Sequence, residues 1–188
     1  MQQQIASNKN NHVLQIIAGI VICCMNKAVL PGTFDPPTLG HADIFRRSSV
    51  LFDHVDIVIA LNPNKTFLFS PDERIEMIKE ILAEGRMDNT MVVLWDGLVT
   101  EYCRKSGASV IIRGVRGFAD FNYEYDMSVI NRHLDSGIET VFLPAKPDFT
   151  AVSSSNVKEV FSFGGRFSGM VSSSVEKALI KKKSSNQN

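Results

Sequence analysis

The 188-residue sequence predicts an α/β fold, a doubly wound parallel sheet of five strands covered by helices. Three observations predict it. From Met25 onward, short apolar runs alternate with amphipathic ones, as strands do when crossover helices join them. The apolar runs are rich in Val, Ile and Leu throughout, which suits strands buried on both faces. Helix start and stop residues fall in the intervals between those runs. The length suits one domain with its own core.

The first 24 residues, MQQQIASNKNNHVLQIIAGIVICC, differ from the rest. Lys9 is their only charged side chain, and only Gln15 breaks the apolar run over 13–24. That run is shorter than the about 20 apolar residues a membrane-spanning helix needs. One cation and no small-x-small cleavage site also make it a poor secretory signal. We expect 1–24 to be an extension outside the fold, disordered or not native, with the natural polypeptide starting at Met25. Strands are expected at 27–30, 55–61, 91–94, 109–112 and 140–143. Helices are expected at 39–52, 71–84, 99–105 and about 121–134, with two more after the last strand. Ser70, Pro71 and Glu73 form a helix-start signature, and Gly85, Gly107 and Gly137 stand where helices should stop. The end, KKKSSNQN, reads as a frayed tail, which leaves 25–181 as a single domain and 182–188 as flexible.

Composition excludes several functions. Twenty basic side chains balance twenty acidic ones, so no broad cationic face exists to hold a nucleic-acid backbone. Cys23, Cys24 and Cys103 are too few and too oddly placed for a disulfide framework or a CxxC metal site, which points to a reducing compartment, the cytoplasm. No metal-ligand cluster and no nucleophile motif is visible, so no protein-held metal is expected. Membrane partners are not expected.

In an open parallel sheet, ligands collect beyond the carboxyl ends of the strands, near helix N-termini. The first such loop is PGTFDPPTLGH, 31–41, stiffened by prolines, with Thr38 as a cap and His41 in the first helical turn. Taken alone, His41 is more often a solvent-facing residue than a ligand contact. The second loop holds Lys65, equally readable as a solvated charge. The fourth strand leads into IIRGVRG, whose Arg113 and Arg116 could clamp phosphate oxygens or merely pair with Asp120 and Glu124 on the surface. After the fifth strand, Ser153, Ser154 and Ser155 precede a helix, more hydroxyls than capping requires and well suited to an anion. Cys103 and Trp95 read as packing, and FNYEYDM at 121–127 as core or subunit contact.

PGTFDPPTLGH resembles the T/HxGH signature of the nucleotidyltransferase superfamily, and with its PGTFDP lead-in it is similar to the bacterial phosphopantetheine adenylyltransferases. NPNK at 62–65, IIRGVRGFADFNYE at 111–124 and VSSSNVKEV at 152–160 agree with that family in order and spacing. The resemblance implies a Rossmann-like nucleotidyltransferase fold and transfer of an adenylyl group from ATP, carrying Mg2+, to 4′-phosphopantetheine. Dephospho-CoA and pyrophosphate would be the products, CoA a candidate inhibitor, and a homohexamer the assembly. By the same resemblance, His41, Lys65 and Arg113 would be catalytic. Thr33, Lys65, Val99 and Arg113 would bind the acceptor. Thr33, Phe34, His41, Gly114, Val115, Arg116, Glu124, Phe149, Thr150, Ala151, Val152, Ser153, Ser154 and Ser155 would bind ATP. Phe149 stands where the family usually has Trp or Tyr. Rival readings are a sister cytidylyltransferase or nicotinate mononucleotide adenylyltransferase, a non-catalytic nucleotide-binding module and, last, an aminoacyl-tRNA synthetase fragment.

Overall fold

The computed structural model of the chain describes residues 14–17, 20–23, 26–61 and 66–185. Its centre is a five-stranded parallel sheet in the order β5-β4-β3-β6-β7, built from β3 (Lys27–Gly32), β4 (His54–Ala60), β5 (Thr90–Trp95), β6 (Val110–Val115) and β7 (Glu139–Pro144). All five expected strands are present, each displaced or extended by one to three residues. Alternation along the buried strands separates two cores. Ala28, Leu30, Val55, Ile57, Ile59 and Ile112 face a layer from α1 (Leu39–Leu51), α2 (Pro71–Glu84), α5 (Ser154–Ser162) and α6 (Ser173–Ser185). Val29, Val58 and Ile111 face Tyr102 and Cys103 of α3 (Val99–Ser106). The other helix, α4 (Phe118–Leu134), packs Phe121 edge-on against Phe142 of β7 at 5.1 Å between ring centroids. Helices on both faces make the sheet doubly wound.

The helix starts follow from local chemistry. Ser70 accepts from the Glu73 N–H while the Glu73 carboxylate accepts from the Ser70 N–H, a reciprocal capping box ahead of Pro71. Gly107 ends α3 in the left-handed region, φ 74°, which glycine adopts without penalty. Gly85 also stops α2 as expected, and only the Gly137 expectation needs correction. Gly85 caps α2 in an ordinary right-handed conformation, and Asp135, not Gly137, caps α4, its side chain accepting the Gly137 N–H. The fourth helix also begins at Phe118, three residues earlier than expected.

Both ends of the chain carry secondary structure. Within the segment expected to lie outside the fold, β1 (Leu14–Ile17) and β2 (Ile20–Cys23) pair antiparallel as a separate two-stranded sheet. Two β-branched-rich runs two residues apart give hairpin character that composition alone did not suggest. The expectations for 1–13, 18–19, Cys24 and Met25 fall outside the described residues. At the other end α6 continues to Ser185 rather than fraying at 181, because Lys182 reaches the Glu73 carboxylate at 3.0 Å and lies over the Phe69 ring. Among the described residues no helix is long and apolar enough to cross a membrane.

Of the charged side chains buried in this framework, two are shut off from solvent completely. Asp56, on interior strand β4 and fully buried, accepts from Lys27 at 2.7 Å, from His54 at 2.9 Å and from the Tyr102 hydroxyl at 2.9 Å. Burial first, then the bond to Asp56, pushes the Tyr102 phenol well above its ordinary value. Arg74 of α2 is fully buried as well.

Candidate active site

The strand order reverses direction between β3 and β6, and there the two strands part. β3 stays paired with β4 through Gly32, but its pairing with β6 stops at Val29 and Ile111. A cleft of about 500 Å³ opens beyond that point, at the carboxyl edge of the sheet. Arg113 bridges the parting: its Nη1 donates to the Pro31 carbonyl at 2.7 Å.

The loop from β3 to α1 forms one wall. Phe34 adopts φ 49°, a conformation few non-glycine residues take, and its buried ring packs edge-on against His41 at 5.1 Å and Phe45 at 5.4 Å. Gly32 is required beneath it, because a Cβ there would come within 2.6 Å of the Phe34 ring. Thr38 caps α1, accepting from the His41 N–H, and its own N–H donates to His41 Nδ1 at 3.0 Å. With Nδ1 an acceptor, the neutral ring carries its proton on Nε2. Burial above all, then the charges of Arg116 and Arg113, lowers the His41 pKa to about 4.

The opposite wall comes from β6 and α4. Arg113 donates through Nε and Nη2 to the two oxygens of Glu124. Arg116 donates to both oxygens of Asp120 through its side chain and to Oδ2 through its backbone N–H. Burial acts to raise the Asp120 carboxyl, yet the Arg116 hydrogen bonds and both arginine charges outweigh it and hold the group below its ordinary value. Both readings of the arginines therefore hold in part: each is paired with a carboxylate, and each lines the cleft. The third wall is the start of α5. Ser153 accepts from the Asn156 N–H, Ser154 donates to the Pro36 carbonyl at 2.9 Å and so joins α5 to the first loop, and Ser155 lines the cleft.

Of the residues singled out in the sequence, Thr33, Phe34, His41, Val99, Arg113, Gly114, Arg116, Glu124, Phe149, Val152, Ser153, Ser154 and Ser155 line this one cleft. Three others do not. Val115 is buried, Thr150 donates its hydroxyl to the Pro147 carbonyl, and the Ala151 carbonyl accepts from the Asn156 side chain. Lys65 lies outside the described residues. Sequence reasoning read Tyr123, within FNYEYDM, as core or subunit contact and passed over Ile44, yet both line the cleft; it also passed over Asp35 and Arg74, which support it. Arg74 did leave a signal: it shares the helical face of Met77, Ile78 and Ile81, where a charge is unexpected.

Residues 29–160 match the cytidylyltransferase-like family. A phosphopantetheine adenylyltransferase of Bifidobacterium animalis subsp. lactis is 46% identical over 159 residues, 82% of this chain and 99% of that protein. Its counterpart in Caldanaerobacter subterraneus subsp. tengcongensis is 44% identical over 84% of this chain and 98% of that protein. The chain belongs to the phosphopantetheine adenylyltransferase family. The fold is shared more widely. The nicotinic acid mononucleotide adenylyltransferase of Plasmodium falciparum superposes with a TM-score of 0.64 at 12% identity, covering 84% of this chain and 95% of that one. A bifunctional NMN adenylyltransferase/ADP ribose pyrophosphatase from Francisella tularensis gives 0.65 at 16% identity, over 84% of this chain and 49% of that one. At such identities the likeness concerns architecture alone. Against phosphopantetheine adenylyltransferases, by contrast, the match spans nearly their whole length, so it takes in every wall of the cleft.

Proposed function

We propose that this chain is a nucleotidyltransferase that moves the adenylyl group of ATP onto 4′-phosphopantetheine, releasing pyrophosphate and forming dephospho-CoA. The convergence of Thr33, His41, Arg113, Arg116 and Ser155 on one cleft at the parting of β3 and β6 carries this reading. The acceptor is already a phosphate anion, so no base is needed. The protein's task is to bring two polyanions into line and to stabilise the charge that develops at the α-phosphorus and the departing pyrophosphate. His41 donates from Nε2 while neutral, without a proton changing hands. Thr33, Lys65 and Arg113 hold the acceptor phosphate, and Val99 lines the path of the pantetheine arm. Arg116, Gly114 and Glu124, together with Phe34 and the stretch from Phe149 to Ser155, hold ATP. Val115, Thr150 and Ala151 contribute backbone groups only. To take phosphate, Arg113 and Arg116 must share or exchange Glu124 and Asp120, and that exchange tunes affinity.

Magnesium arrives with ATP as part of the substrate. The two carboxylates that line the cleft, Asp120 and Glu124, are both engaged by arginines, which suits an ion carried by the triphosphate. CoA, which shares the phosphopantetheine arm, is a candidate inhibitor, and the cytoplasm supplies both substrates. The exposed apolar side chains of α4 support assembly into a homohexamer. A coupled pyrophosphate assay with ATP, Mg2+ and 4′-phosphopantetheine tests the reaction. Pyrophosphate released with nicotinate mononucleotide, or from CTP, but not from ATP with phosphopantetheine, would overturn it.

A further inference from the structure

Arg74 is the bulkiest fully buried side chain among the described residues, and it does not line the cleft. Its Nη1 donates to the Thr33 carbonyl at 2.8 Å, its Nε reaches the Ser70 carbonyl at 3.3 Å, and its guanidinium stacks 4.4 Å from the Phe67 ring centroid. Nη2 has no partner among the described residues. A buried guanidinium with an unmatched donor is a poor stabiliser, and an apolar side chain of similar volume would serve the core better. The first loop is fastened at neighbouring points as well. Asp35, 1% exposed, accepts from the N–H groups of Leu68 and Phe69 and pairs with Lys158 of α5, while Ser154 donates to Pro36. Thr33 and Ser154 are the residues of this set that line the cleft, and Arg74 is the side chain that fixes the Thr33 carbonyl.

We propose that Arg74 is a positioning residue for adenylyl transfer, setting where Thr33 stands in the cleft by holding its carbonyl from α2. The proposal rests on the reading of Thr33 as a phosphate contact. Lysine in its place keeps a charge but not the planar fork that reaches Thr33, Ser70 and Phe67 together. The test is steady-state kinetics on the full chain as parent, Arg74→Lys, Thr33→Ala and the double variant, with thermal melts on each. Arg74→Lys is expected to lose about 10- to 100-fold in kcat, the scale of a small misplacement, with KM for ATP within about threefold of the parent. The double variant is expected within about threefold of Thr33→Ala alone, because Arg74 acts through Thr33. A parent-like kcat for Arg74→Lys, or losses that multiply in the double variant, would overturn the proposal. If Arg74→Lys does not fold, Phe67→Leu paired with Thr33→Ala carries the same test: a kcat loss absorbed by Thr33→Ala supports it, and unchanged or multiplied losses overturn it. The parent's activity with phosphopantetheine tests the assigned reaction. The ratios among variants, taken with whichever acceptor the parent uses, test Arg74. A parent that turns over no acceptor sinks both.

Discussion

An imidazole whose Nδ1 already accepts the Thr38 N–H has one proton to offer, on Nε2, and with a pKa of about 4 it stays neutral through the physiological range. Because the folded value lies below the ordinary 6.5, the unfolded chain takes up this proton first as pH falls. His41 therefore leaves stability intact above about 6.5 and erodes it between there and about 4. Thermal melts over that window should show a downward slope that His41→Gln reduces. The limb of the kcat/KM profile that belongs to His41 should lie near 4. Removing the donor itself is the larger effect: His41→Ala should keep the fold and lose roughly 10²- to 10³-fold in turnover, measured by pyrophosphate release. The position of His41 was legible in the sequence because its loop joins a strand to a helix. Its tautomer was not, since that depends on one backbone N–H, and neither was the burial of Asp35 and Arg74, which arises only when loops distant in sequence pack together.

The elements obey their local signals where a side chain supplies the signal. Ser70, Pro71 and Glu73 start α2 where expected, so Ser70→Ala should cost about 1 kcal/mol in a urea titration. Thr38→Ala should cost a similar amount and also lower kcat, because Thr38 both caps α1 and touches the His41 ring. Where backbone alone decides, the sequence misleads. No side-chain cap marks the start of α4 at Gly117, and its end is set by Asp135. The extension of α6 depends on Glu73, more than a hundred residues earlier. On β4, Asp56 looks out of place in an apolar run, yet it is the shared acceptor of Lys27, His54 and Tyr102. Asp56→Ala leaves those donors without their acceptor and should destabilise the fold by about 3–5 kcal/mol in the same titration.

For the whole molecule, the outer face of α4 is the surface to watch. Phe118, Tyr125, Val129, Ile130 and Leu134 are all at least 46% exposed on one helix, more apolar area than an isolated soluble helix face usually shows. Light scattering should find an assembly, six chains on the reading proposed above, and Ile130→Glu should reduce its mass while leaving the secondary structure intact. The sheet was foreseeable from alternating apolar runs, whereas this surface looked equally like core until the packing of Phe121 on β7 showed which side of α4 turns inward. The separation of β3 from β6 has a broader consequence. A wedge framed by two main-chain edges keeps its gauge when the side chains along its rim are exchanged, so on the reading proposed above acceptor preference can be rewritten at the mouth while the phosphate end stays as it is.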